Sequence, residues 1–317
     1  MIQDMNRRAF LKQSIAAAGT LAVGAPASRA AVAPQGNEAA LPVGNLAGLK
    51  VSRVILGGNL LTLYTHSRDL KYVRELAARY HTEAKMMETL ALAEQHGINT
   101  ISCSAPPRVF EMFNRYRARG GKMQWIVCLA AKIEEDMASF GEEARRLIGQ
   151  GMESVYLHGA VADKLAAMNR PDLIAKALEH VKLQGVPAGV GAHDLKVIEL
   201  CESAKVPTDY YIKTLHHHNY PTAPRPEQIK APTAEVPGYW CADPDALIRR
   251  MRTVSKPWIA FKIMAAGAIP PQDAFPWAIN NGADHILVGM FDFQLAEDVG
   301  IAREAFNNAK RSRPWRS

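Results

Sequence analysis

The strongest constraint on the fold of this 317-residue chain is its alternation of two patterns, repeated about eight times. One is a short apolar run rich in β-branched and aromatic residues. The other is a longer stretch with apolar residues at every third or fourth position. The runs are 51–58, 98–104, 124–130, 153–159, 187–193, 209–216, 257–263 and 285–291. They suit parallel strands buried on both faces. The intervening stretches, such as TEAKMMETLALAEQHG and DLIAKALEHVKLQG, read as helices ending in Gly. Gly97, Gly151, Gly185 and Gly282 each fall just before a strand. Eight β-then-α units in fewer than 300 residues predict a single α/β (β/α)8 TIM barrel over residues 44–317. No Gly-x-Gly-x-x-Gly turn follows the first strand, which weighs against a doubly wound sheet.

Residues 1–30 form a separate segment. NRRAFLK precedes a short Ala/Gly-rich apolar stretch and the small-residue sequence SRAA, so the segment resembles a bacterial twin-arginine signal peptide. This implies export to the periplasm after folding, with cleavage near Ala30. The apolar stretch is too short to anchor the mature chain across a membrane. Residues 31–43 read as a linker. The formal charge of +7 divides between this segment (+3) and the tail KRSRPWRS (+4), leaving a neutral body. A neutral body gives no basic face for nucleic acid, so a small-molecule substrate is expected. Four cysteines are too few for a disulfide scaffold in a chain of this length.

Two connections are long, 59–80 and 219–242, and both follow strands. They should therefore cover the C-terminal mouth of the barrel, where the active sites of such barrels lie. The polar groups expected there are Lys132, His158, His193 and the run His216, His217 and His218. Alternation along the strands would turn Lys213 and His217 into the mouth. Imidazoles at the ends of strands four, five and six suggest a site for Zn or Fe, with His193, His216 and His217 as the metal ligands. Lys132, His158 and Lys262 would be the catalytic groups, and Tyr239, Trp240 and Lys213 would bind a sugar-like or polyol substrate. On this reading the chain is a metal-assisted lyase, isomerase or hydrolase.

From residue 44 to 305 the order of segments resembles the aldo/keto reductase superfamily. GNLAGLKVSRVILGGN is similar to its leading hairpin and first strand, and ALAEQHGINTISCS to its first helix and second strand. KPWIAFKIMAAGAI and AFPWAINNGADHILVGMFDFQLAED are similar to its last two units. The resemblance implies NADP-dependent carbonyl reduction by an Asp, a Tyr, a Lys and a His at strand ends. Lys132 and His158 match the Lys and His. The Asp and Tyr positions fall at Ser102 and among Pro106, Pro107 and Arg108, so both residues are missing. FDFQLAED has no cation for a 2′-phosphate. A reductase that still binds NADP and a catalytically inactive ligand-binding barrel are the competing readings.

Overall fold

The computed structural model describes residues 40–317. The segments read as a signal peptide (1–30) and, for the most part, a linker (31–43) lie outside the described residues. The chain opens with a hairpin, β1 (Val43–Leu46) and β2 (Leu49–Ser52), paired antiparallel. Eight parallel strands then close into a barrel: β3 (Val54–Gly57), β4 (Thr100–Cys103), β5 (Gln124–Leu129), β6 (Ser154–Leu157), β7 (Ala188–Ala192), β8 (Tyr210–Thr214), β9 (Trp258–Phe261) and β10 (His285–Val288). Neighbours follow chain order, and β10 pairs with β3 to complete the ring.

The helices are α1 (Asn59–Thr62), α2 (Tyr72–Tyr80), α3 (Glu83–Gln95), α4 (Pro107–Ala118), α5 (Ala138–Gly149), α6 (Gly159–Ala167), α7 (Pro171–Lys182), α8 (Leu195–Ser203), α9 (Pro244–Met251), α10 (Pro271–Asn280) and α11 (Leu295–Asn307). Several boundaries have a local cause. Thr82, Asp194 and Asp243 accept from the free amides at the starts of α3, α8 and α9. Gly97, Gly151, Gly185 and Gly282 take positive φ between helix and strand, a conformation costly for any residue with a Cβ.

Alternation along each strand sorts the core into two layers. Ile55, Ile126, Tyr156, Tyr210, Ile212 and Ile259 fill the barrel, and Leu46 and Val51 of the hairpin join them from below. Outward residues such as Trp125, Val155, Val190, Tyr211 and Trp258 pack under the helices. The barrel is thus a packed core whose polar chemistry is confined to its rim.

The basic tail is built into the floor. Asp284 accepts from Arg313 at 2.5 Å and Arg311 at 3.0 Å, and Arg313 is 2% exposed. Trp315 lies between the guanidinium groups of Arg53 (3.9 Å) and Arg311 (3.5 Å). Composition alone suggests a solvated end, but a buried carboxylate before β10 recruits it as counter-charge.

Candidate functional site

At the C-terminal mouth, β6, β7 and β9 hand over to His158, His193 and Lys262. His193 is fixed from α6: Asp163 accepts from its backbone amide (3.0 Å) and meets its Nδ1 (2.8 Å). The Asp194 amide adds a third bond at 3.0 Å. Burial works to raise the Asp163 carboxyl, but the His193 ring and the two amides hold it below its ordinary value. An ionised carboxylate only accepts, so Nδ1 carries the ring proton and Nε2 keeps its lone pair. That lone pair faces Lys262 Nζ at 3.3 Å.

Lys262 leaves β9 in a left-handed conformation, φ +57°, where a side chain is disfavoured by local sterics. Its ammonium lies 5.7 Å from the ring centre of Trp240 and 5.5 Å from that of Phe261. Burial pushes the amine down to about 8, with the charges of Glu235 and Asp163 opposing the shift. His193 is held below its ordinary value by burial, against the pull of Asp163. His158 is lowered by burial, then by His193 and Lys262. Its Nδ1 accepts the Ala160 amide at 3.2 Å and caps α6. Asp163, His193 and Lys262 therefore form one chain of polar contacts, ending in an amine near its neutral point at physiological pH.

The two long connections close over this amine. His66 pairs with Glu235, and Arg68 donates to Thr222 at 2.7 Å. The rings of His66 and Trp240 meet edge-on at 5.7 Å, and the Trp240 indole donates to Glu235 at 3.2 Å. Burial would raise Glu235, yet His66, Trp240 and Lys262 hold it low. The sequence reading missed Asp163, Glu235 and His66. Asp163 had one signal, a lone acid in the apolar helix GAVADKLAA.

The structure corrects several expectations. His193, His216 and His217 do not form a metal site, and among the described residues no group of three or more His, Cys, Asp or Glu side chains could hold an ion. His216 is fully buried, and its Nε2 accepts the Trp240 (2.9 Å) and Cys241 (3.1 Å) amides. Its Nδ1 donates to the His217 carbonyl at 2.9 Å, which leaves no free lone pair. Burial takes this ring down to about 3, so it stays neutral. His217 accepts from the Asn219 amide and packs edge-on against Trp277 at 5.1 Å. His218 bonds the Cys241 carbonyl at 2.7 Å. The run latches the β8 connection; its three rings diverge because each satisfies a different loop group.

Lys132 is also misplaced. Its side chain is 78% exposed and pairs with Glu134 at 3.2 Å, away from the Lys262 chain of contacts. Lys213 shares the outward side of Tyr211, not the mouth. Its Nζ curls onto the Thr214 carbonyl (3.1 Å) and hydroxyl (2.7 Å), and burial lowers its amine. Tyr239 and Trp240, each 1% exposed, present no open face to a sugar ring. The Tyr239 hydroxyl is spent on Ala231 and Lys230, because the lid needs a core of its own.

Two surface hollows, along Ala309–Trp315 and between the hairpin and Gly151–Glu153, lie at the opposite, N-terminal face. In barrels of this kind that face serves stability.

No family model and no curated protein matches the chain. Solved structures do. A Pseudomonas aeruginosa chain assigned to the aldo-keto reductases is 19% identical, with a TM-score of 0.59 over 85% of this chain and 98% of its own. An aldo-keto reductase from Bacillus halodurans in its holo form is 11% identical, with a TM-score of 0.53 over 87% of this chain and 100% of its own. A mutant of a protein called Gox0644, solved in complex with NADPH, is 13% identical, with a TM-score of 0.51 over 83% of this chain and 88% of its own. With its leading hairpin, closed eight-stranded barrel and chain-order topology, this protein has the same (β/α)8 fold as these aldo-keto reductase structures.

Proposed function

We propose that the chain is an oxidoreductase of the aldo-keto reductase kind, acting on a small carbonyl or alcohol with a nicotinamide dinucleotide. The observation that supports the reading is the Asp163–His193–Lys262 chain of contacts, which offers a proton donor in a barrel whose matched positions lack the family's phenol. One Lys262 N–H is directed at His193, and among the described residues the others meet no acceptor, leaving them for a substrate oxygen. In the reducing direction Lys262 gives a proton to the carbonyl oxygen as it gains charge. In the oxidising direction the neutral amine takes the alcohol proton. A group with a pKa near 8 serves both directions near neutral pH. Asp163 holds the His193 tautomer, His193 aims the amine, and Trp240 with the latched loops keeps water from it.

A turn beside Lys262 supports phosphate binding by such a cofactor. Ala265, Ala266 and Gly267 follow Lys262 with φ of 46°, 56° and 83°. Among the described residues, the Ala266 and Gly267 amides have no acceptor. A Cβ on Gly267 would meet nothing within 4 Å, so the turn is open on that side. Successive amides in such a turn suit an anion, and Arg68 reaches the Ala265 carbonyl at 3.4 Å. The β10 end is less suited to a 2′-phosphate. Lys85 there is already paired with Glu88 (2.7 Å) and Asp292 (2.9 Å). When bound, the cofactor would supply or accept a hydride. The solved neighbour bound to NADPH supports the same reading.

The test is a fluorescence titration of the purified chain with NADPH and with NADH. Saturable binding of either, retained in Lys262→Met while turnover is lost, supports the proposal. No binding of either at millimolar concentration would overturn it.

A further inference from the structure

Helix α2 is poorly covered for a helix of a folded domain. Of its nine residues only Ala77 is buried, and Val73 is half-buried. At about 100° per residue, Tyr72, Leu76 and Tyr80 lie on one stripe beside the edge that Val73 and Ala77 turn toward the barrel. They are 59%, 57% and 37% exposed. The stripe continues into the loop after β10, where Tyr80 meets Phe293 at 6.4 Å and Phe293 is 70% exposed. A continuous apolar stripe of this kind marks an interaction surface.

The charges beside it indicate the partner. Lys71 and Arg79 flank the stripe on its solvent side, Arg74 lies beyond them, and none of the three is ion-paired among the described residues. Asp69 and Glu75 are the only acids of this segment, so with Arg68 it carries an excess of cations. A second copy of the chain would meet the same cations in a symmetric contact. It would also find too little area: a fully buried aromatic contributes about 150–250 Å², so four partly covered side chains fall well short of the roughly 800 Å² per partner of a stable dimer. A bilayer surface needs no matching patch. Tyr and Leu settle at the headgroup boundary while flanking Lys and Arg reach anionic headgroups.

We propose that α2, with Phe293, docks the mouth side of the barrel onto an anionic lipid surface. The apolar stripe enters the headgroup boundary, and Lys71, Arg74 and Arg79 contact lipid phosphates. The proposal does not depend on the reaction at Lys262.

The experiment is co-sedimentation of the full chain with vesicles of phosphatidylglycerol and phosphatidylethanolamine, or of phosphatidylcholine alone. The variants are Leu76→Glu and Arg74→Ala/Arg79→Ala. The N-terminal segment is common to all of them, so the difference from the parent chain is the readout. The expected result is partitioning onto the anionic vesicles that weakens with added salt. It should fall at least tenfold in Leu76→Glu and by about fivefold per removed arginine. Equal partitioning of the parent chain and Leu76→Glu overturns the proposal. So does self-association in light scattering that Leu76→Glu abolishes without lipid. Circular dichroism confirms that these surface variants stay folded.

Discussion

Lys262 Nζ stands 3.3 Å from His193 Nε2, although their strands, β9 and β7, are separated by β8. The contact exists because Asp163 pins the imidazole and because the Lys262 backbone turns left-handed as it leaves its strand. Both ends of the contact are thus set by neighbouring structure, which is what the proposed proton-donor role needs.

Replacing the amine isolates its role. Lys262→Met should lower turnover by about 10²–10⁴-fold, the usual worth of positioned proton transfer. Cofactor affinity should change little. Steady-state kinetics beside a binding titration separates the two quantities.

On the proposed function Asp163 acts through His193, so its effect should not add to that of Lys262. Asp163→Asn should lose part of the same factor, and the double variant should be no slower than Lys262→Met alone, because the residues work as a unit. A multiplicative loss in the double variant would show independent roles.

The pH profile follows from an amine at about 8. On the proposed function, carbonyl reduction needs the protonated form and should fall as pH rises through 8, whereas alcohol oxidation should rise over the same interval. Stability changes in a related way. Above 8 the folded amine has lost its proton while the unfolded lysine keeps one up to its ordinary value near 10.5. The unfolded state then binds more protons, so this group's contribution to stability increases between pH 8 and 10.5. Its burial opposes folding fully below 8. Lys262→Met should remove that slope from denaturation midpoints measured across the range.

His216→Ala should destabilise the fold, not empty a metal site. It strands the buried amides of Trp240 and Cys241, each at about 1–3 kcal/mol. Thermal denaturation should show a lower midpoint, and the metal content of the purified protein should equal that of the parent chain.

On the floor, Arg313→Ala leaves the carboxylate of Asp284 short of its closest partner. Removing one member of a buried pair typically costs about 3–5 kcal/mol. Urea titration should show the loss as a lower midpoint with an unchanged slope.

The barrel was legible because its grammar is local. Apolar runs alternate with helical periods, and glycines stand where each helix must stop. Observed strands fall inside every expected run, although 51–58 divides between β2 and β3 at Arg53. His158 and His193 were picked out as polar residues at strand ends and Lys262 as a lysine inside the seventh run, and the structure brings all three to one rim. The histidine run misled because adjacency in sequence says nothing of ring direction. His216 turns to amides 24 and 25 residues away, which no spacing reveals. Lys132 sat at a plausible strand end, but its neighbour Ala130 is already exposed and the chain leads outward. The partners His66 and Glu235 lie 169 residues apart on irregular segments, where periodicity carries no information.

The contacts between the two long connections bear on traffic through the mouth. His66 grips Glu235 while Arg68 grips Thr222, so neither connection can swing aside without disturbing the other. On the proposed function, entry to and exit from the Lys262 site share one concerted opening, so the rate of that opening sets an upper limit on turnover.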